Sequence, residues 1–297
     1  MKLTKTDFLI YKDCAKNAWL KLHKPKVYFS KPLSAFDEGI IETGNEVDIL
    51  ARDLFPNGVL ITDRNDTKET KKLIKSKTPV IYQPVFETDL YKVICDILVW
   101  NKDTKLYDLY EVKASNSGED KKAKDKLYTY DIAFQYLVLK ELGMPLGRLY
   151  LLRLNSEYVR GIDLELFSLF SKEDFTERVM EIAQEVEGEM KIAQEFISQK
   201  EEPFGSCKCI TRGRSAHCTT FSYSNPQVPE YSVHDISRIG QSKRKLEELV
   251  DSGIFSIKDV PEEFPLSEKQ RNQVSATQSG KTFIDKTEIS NFLNNIS

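Results

Sequence analysis

Histidine is nearly absent from this chain: of 297 residues, only His23, His217 and His234 carry an imidazole. They are scattered, and they supply no nucleophile–base pair of the Ser–His or Cys–His kind. Cysteine is sparse as well, and five residues in a chain without secretory features point away from structural disulfides. No apolar run approaches the ~20 residues needed to span a bilayer. The first residues, Met1 to Asp7, turn acidic and amphipathic at once and lack the apolar stretch of a signal peptide. A cytoplasmic protein without membrane attachment is the expectation. A strong charge of either sign is also missing. With a net charge of −3, no global field draws in nucleic acid, so any such binding needs local basic surface. What remains is a 40% hydrophobic, 30% charged chain, the composition of a globular protein. It is long enough for one large domain or two modest ones with a sizeable core.

The most informative segment runs from Val93 to Lys113. Val93-Ile94-Cys95-Asp96-Ile97-Leu98-Val99-Trp100 and Leu106-Tyr107-Asp108-Leu109-Tyr110-Glu111-Val112-Lys113 are rich in β-branched and aromatic residues. A polar turn separates them, which predicts a β-hairpin. Folding at Asp103-Thr104 sets Asp96 directly opposite Glu111, with Cβ atoms roughly 5 Å apart. Lys113 lies two residues beyond Glu111 and projects from the same face. Two carboxylates and an amine converging on one sheet face are costly to bury alone, and a divalent cation removes that cost.

An Asp, a spacer and then Glu-x-Lys on consecutive strands resembles the signature of PD-(D/E)XK nucleases. The surroundings resemble the RecB-type exonuclease branch, which includes the CRISPR-associated RecB-like nucleases. The resemblance implies an α/β fold with a central mixed sheet flanked by helices, and metal-dependent hydrolysis of DNA. Asp96 and Glu111 would hold magnesium or manganese, and Lys113 would position or activate the attacking water. Gln135, in Asp131-Ile132-Ala133-Phe134-Gln135, matches a glutamine those nucleases carry on the helix after the catalytic strand, where an amide can both donate and accept. Upstream, Gly44-Asn45-Glu46-Val47-Asp48 occupies the place of the family's Gly-x-x-x-His motif. Asp48 replaces the histidine and is an acceptable hard-oxygen ligand, with Glu46 as a competing candidate.

The remaining cysteines fit the same family. Cys14 falls in the first helix, and Cys207, Cys209 and Cys218 follow the last long helix. That layout resembles the iron–sulfur RecB-type nucleases and implies a 4Fe–4S cluster on four thiolates. The spacing Cys-x-Cys-x8-Cys departs from the usual Cys-x2-Cys-x5-Cys, so structural zinc is the alternative, with His217 able to replace one cysteine. Cys95 points away from Asp96 and reads as a small core residue.

Along the chain, Thr4 to Asp7 caps a helix that continues through Leu22 to Pro25, and a second helix spans 36–54. Strands are expected at 80–85, 91–100 and 106–113, then a polar loop to Lys126. A helix over 127–142, a strand over 149–154 and a long helix over 171–200 capped by Ser171 complete the core. Lys121, Lys122, Lys124 and Lys126 would face nucleic-acid phosphates from that loop. The nuclease domain is placed at 1–221, and a linker with a small helical appendage at 222–297. The appendage resembles a segment that in some uncharacterised RecB-like proteins leads into a further domain, so a protein partner or a missing downstream domain is expected. Ser275 to Thr282 mimics the end of a phosphate-binding loop but lacks its first glycine and preceding strand. The expected function is a metal-dependent DNA nuclease acting on ends or single strands, with RNA the open alternative to DNA. The alternative is a non-catalytic nucleic-acid-binding or assembly subunit on the same fold.

Overall fold

The computed structural model describes residues 1–30, 32, 34–115 and 121–296. The chain opens with β1 (Leu3–Thr4), α1 (Lys5–Asp13), α2 (Ala15–His23), the single turn α3 (Pro25–Tyr28) and α4 (Ala35–Asp53). β2 (Val59–Leu60) and α5 (Thr67–Lys75) precede β3 (Val80–Tyr82), β4 (Val85–Glu87), β5 (Tyr91–Ile94), β6 (Ile97–Asn101) and β7 (Leu106–Lys113). α6 (Lys121–Glu141), β8 (Leu146–Leu154), α7 (Leu166–Leu169), β9 (Phe170–Asp174) and α8 (Thr176–Ile197) follow. Last come α9 (Phe221–Ser224), α10 (Lys243–Asp251), α11 (Glu268–Ser279) and α12 (Lys286–Asn294). No helix among the described residues is long and apolar enough to cross a membrane.

Two compact units emerge: residues 1–18 with 31–201, and residues 19–30 with 202–297. The boundary expected at 221/222 falls inside the second. In the first unit a six-stranded mixed sheet has the order β2-β3-β6-β7-β8-β9, and a three-stranded sheet the order β1-β5-β4. This is the α/β architecture with helices flanking mixed sheet. α4 covers one face of the larger sheet through Val47 and Ala51, which pack with Val80, Tyr82, Ile97, Tyr110 and Leu152. α6 and α8 pack against each other and against β8.

Four expectations change. The strands read as 80–85 and 91–100 each break in two, because the chain crosses from one sheet to the other at both places. Gln83 adopts a left-handed φ of 52°, and Pro84 has no N–H for a ladder. The Gln83 N–H donates to the Asp96 carbonyl at 2.9 Å and the Cys95 N–H to the Pro84 carbonyl at 3.1 Å, so the two bends support each other. Second, Ser171 does not cap a helix. Phe170–Asp174 pairs antiparallel with β8 as an edge strand, and α8 begins at Thr176, whose N–H is taken by Asp174 Oδ1 at 2.9 Å. Third, the segment 121–126 is helical, so the four lysines stand on the first turns of α6 rather than on a loop. The first helix is also interrupted: Cys14, at φ −152° and ψ 102°, separates α1 from α2.

The second unit is helical, and its one described β contact is a bridge between Ser232 and Ser256. Val233, Ile236, Ile239, Leu246, Leu249, Ile257, Val260, Phe264 and Val274 form its core. Backbones approach closely at Gly213 and Gly240, where a Cβ on Gly240 would lie 2.9 Å from the Gly213 Cα. Ser275 to Ser279 lies within α11, and Gly280 ends it at φ 67°. That segment is a helix end and no phosphate loop.

One charged side chain holds the far edge of the larger sheet. Arg153 on β8 is 1% exposed. It donates to Asp125 of α6 at 2.9 Å and pairs with Glu173 of β9. With Arg153 removed, Asp125 and Glu173 are left partly exposed and Asp125 keeps Arg178, so the loss is that of charged hydrogen bonds, about 1.5–3 kcal/mol. Arg153→Met should therefore lower the urea midpoint by a corresponding amount, and an unchanged midpoint would mean that packing alone holds β9.

Candidate active site

The strand crossing described above is what creates the site. Asp96 stands between β5 and β6, and the β6–β7 register, Ile97↔Tyr110 through Asn101↔Leu106, continues by one residue to set Asp96 across from Glu111. This is the pairing expected from the turn position. Asp96 Oδ2 accepts the Val112 N–H at 2.8 Å, which fixes its carboxylate beside β7.

Glu111 is 1% exposed, and its carboxylate is ringed by donors. Lys5 Nζ reaches Oε1 at 2.9 Å and Oε2 at 3.1 Å. Lys113 Nζ reaches Oε1 at 2.5 Å, and Gln135 Nε2 reaches Oε2 at 2.6 Å. A third carboxylate completes the cluster: Asp131 takes Lys5 at 3.0 Å, Lys113 at 2.6 Å and Gln135 at 3.2 Å. Because both carboxylates need the amide nitrogen, the Gln135 amide has one possible orientation. Its Oε1 is buried with no hydrogen-bond partner among the described residues.

Electrostatics separates the two acidic partners. Burial, followed by the negative charge of Glu111, pushes the Asp96 carboxyl up to about 7. Burial also disfavours the Glu111 carboxylate, but Lys113 and Lys5 outweigh it and hold the group well below the usual carboxylate range. Both lysines are desolvated, which opposes their charge, yet the surrounding carboxylates raise them above the ordinary lysine value. A charge-separated, hydrogen-bonded cluster results, of the kind that marks functional sites.

A cleft of about 560 Å³ opens onto Asp96 and Lys113 and is walled by Asp48, Gln83, Arg52 and Arg64. Asp48, on α4, pairs with Arg52 and accepts from Gln83 Nε2 at 3.3 Å. It thus shares the cleft with Asp96 while carrying its own counter-ion. Glu46 does not line the cleft. Of the lysines on α6, Lys124 is partly buried and Lys126 exposed.

Sequence reasoning missed Lys5 and Asp131. Asp131 had a signal, since it precedes Gln135 by four residues and so shares its helix face. Lys5 had only an indirect one. Thr4 Oγ1 accepts the Asp7 N–H at 3.1 Å as a helix cap, and β1 runs parallel to β5 with Leu3 opposite Tyr91. Together these hold residue 5 at the start of α1, but nothing local ties it to residue 111.

In the second unit, Cys207, Cys209 and Cys218 are buried, in no disulfide, and their sulfurs lie within 4.8 Å of one another. Cys207 and Cys218 are 3.8 Å apart, and the Asn225 amide donates to Cys207 Sγ at 3.3 Å. His217 stacks on Phe221, and its Nε2 donates to the Arg212 carbonyl, so that nitrogen is already committed. Cys14, in the first unit, is buried between α1 and α2. Cys95 is fully buried, as a core residue would be, and burial pushes its thiol pKa up.

No family model matches this sequence, and no curated protein does. Among solved structures, the chain is similar to the crystal structure of the protein SSO0001, at 9% identity over 68% of this chain and 88% of that one, with a TM-score of 0.31. It is also similar to a phage-related exonuclease from Haemophilus somnus 129PT, at 11% identity over 60% of this chain and 92% of that one, with a TM-score of 0.27. At these scores the likeness says nothing about the activity of this chain.

The raised Asp96 carboxyl has a consequence for stability. Its folded value lies above its unfolded one, so the stability it contributes is complete below about pH 4 and is lost as pH rises through about 7. Asp96→Asn removes that loss and keeps the bond to Val112. In EDTA, its stability relative to the parent should therefore rise by about 1–3 kcal/mol between pH 5 and pH 8, because each pH unit separating the folded and unfolded values is worth roughly 1.4 kcal/mol. Urea melts at the two pH values read this directly, and a constant difference would place the Asp96 carboxyl in an ordinary aqueous environment.

Proposed function

We propose that the first unit is a metal-dependent nuclease that hydrolyses DNA phosphodiester bonds, acting on ends or single strands. The observation that carries this reading is the convergence of Asp96, Glu111 and Lys113, with Gln135 locked against Glu111, beside a cleft with arginine walls. The donor set suits a hard cation: carboxylate oxygens select magnesium or manganese. The orphaned Gln135 Oε1 also fits a site built for a further group, since a buried acceptor without a partner calls for explanation.

Asp96 and Glu111 would hold the ion, with Asp48 as a third ligand once Arg52 yields it. When bound, such an ion supplies Lewis-acid polarisation of a phosphoryl oxygen and a more acidic water. The chain's own residues do the rest. Lys113 places a positive charge where the attacking water and the phosphate meet. Asp131 and Glu111 grip its ammonium from two sides and set its direction. Gln135 prevents the Glu111 carboxylate from rotating. Arg52 and Arg64 give the cleft the local positive charge that a net charge of −3 denies the molecule as a whole. Lys121, Lys122, Lys124 and Lys126, at the start of α6, would extend that track along the backbone of the nucleic acid.

We further propose that Cys207, Cys209 and Cys218, with Cys14 as the fourth thiol, hold a metal centre of the iron–sulfur type. Zinc is the second reading, favoured by one observation. The 3.8 Å between Cys207 and Cys218 matches the edge of a tetrahedral single-ion site with metal–sulfur bonds of about 2.3 Å.

The decisive assay is incubation of purified protein with labelled single- and double-stranded DNA and RNA, with manganese and with EDTA. Cleavage should require the metal. Asp96→Ala and Glu111→Ala should abolish it. Lys113→Ala should slow turnover by roughly 100- to 1,000-fold, the cost of removing one charge-stabilising donor, while metal still binds. Parent-like cutting by all three variants would overturn the site. Metal-independent nucleic-acid binding without cutting would favour the non-catalytic subunit.

Metal analysis tests the cysteines. Anaerobically purified protein should be brown and contain iron and acid-labile sulfide. Cys14→Ser should lose both and melt at lower temperature, whereas Cys95→Ser should keep the metal. Zinc without iron would establish the second reading, and reaction of all five thiols in native, metal-free protein would exclude both.

A further inference from the structure

Glu111 has no lone pair to spare. An ionised carboxylate offers about four acceptor positions, and here two donors meet each oxygen: Lys5 and Lys113 at Oε1, Lys5 and Gln135 at Oε2. A divalent cation reaches Glu111 only if one donor withdraws, and the geometry identifies which. Gln135 is wholly buried and bonds Oε2 at 2.6 Å. Lys113 sits at 2.5 Å. Lys5 makes the two longest contacts, at 2.9 and 3.1 Å. It also has an anchor that survives the move, Asp131 Oδ1 at 3.0 Å.

We propose that Lys5 is a tethered counter-cation that competes with the divalent metal for Glu111, withdrawing onto Asp131 when the metal enters and thereby setting the metal affinity of the site. This rests on the metal-dependent reading above. The charge count supports it. Asp96, Glu111 and Asp131 against Lys5 and Lys113 leave one negative charge when all are ionised, which a divalent ion overshoots. Removing the Lys5 charge altogether, as Lys5→Met does, leaves two negative charges, which a divalent ion matches. A like charge a few ångströms from the metal weakens its binding, most of all where burial lowers the local dielectric. Between additions of metal, the same ammonium keeps the buried Glu111 and Asp131 carboxylates and the half-buried Asp96 from facing each other uncompensated. Lys5 lies at the first helical position of α1, and Thr4 and the β1–β5 pairing hold its backbone in place. Only the side chain needs to move.

The test is calorimetric titration of Mg²⁺ and Mn²⁺ into the full chain, with melting temperatures in EDTA. Lys5→Met keeps the aliphatic stem and removes the charge. It should bind metal at least roughly tenfold more tightly than the parent, because an unlike charge balance replaces a repulsion, and it should melt at a lower temperature in EDTA. Lys5→Arg keeps the charge and should stay near the parent affinity. A purely structural role for Lys5 predicts the opposite sign, with weaker metal binding by Lys5→Met. That result, or an unchanged affinity, overturns the proposal. Should Lys5→Met fail to fold, the parent answers instead: the slowly exchanging ammonium signal of Lys5 in ¹⁵N-lysine spectra should shift on adding Mg²⁺, and a fixed signal at saturating metal overturns the proposal. The two readings fail separately. A parent that binds no metal, or whose binding is indifferent to Glu111→Ala, brings down the metal site itself, whereas binding that ignores Lys5 brings down only the competition.

Discussion

Everything at the proposed active site depends on neutralising carboxylates that the fold has buried together. Glu111 and Asp131 share two ammoniums and one amide, with Asp96 beside them on the Val112 N–H, and buried carboxylates could not remain ionised there alone. The sheet crossing, the start of α1 and the face of α6 all serve that balance. Glu111 is held ionised by Lys5 and Lys113, while Asp96 gains less from them and is pushed toward protonation.

The larger sheet contributes by breaking rather than by continuing. A straight strand through Cys95 and Asp96 would have left Asp96 as one more ladder residue. With Gln83 and Pro84 bending opposite Cys95 and Asp96, the chain changes sheets at that point, and the carboxylate is freed from the pleat to meet the Val112 amide. Arg153 fixes the other side of the same scaffold by joining β8 to α6 and β9.

Much of this was readable from the residues. The β6–β7 register followed from alternation and turn position, since a hairpin's register is set by its loop. Gln135 and Asp96 stood at the expected places in the order of elements, and the cap at Thr4 was visible in four letters. The misread elements share a cause. Val80–Val85 and Tyr91–Trp100 have unbroken β-type composition, and only the partner strands decide where they change sheets. Phe170–Asp174 looks like a helix start because Ser171 and Asp174 have capping spacing, but the open edge of β8 claimed it. Lys5 was invisible because its significance is a contact 106 residues away.

That separation also shapes when the site comes into being. The first helix leaves the ribosome long before Glu111 or Asp131 exists, and its lysine must stay hydrated until they arrive. Contacts this distant in sequence close loops at an entropic cost and tend to form late. The carboxylates of a partly synthesised chain are therefore scattered and solvated, and they become a cluster only in the completed fold. The cluster is thus a property of the finished domain.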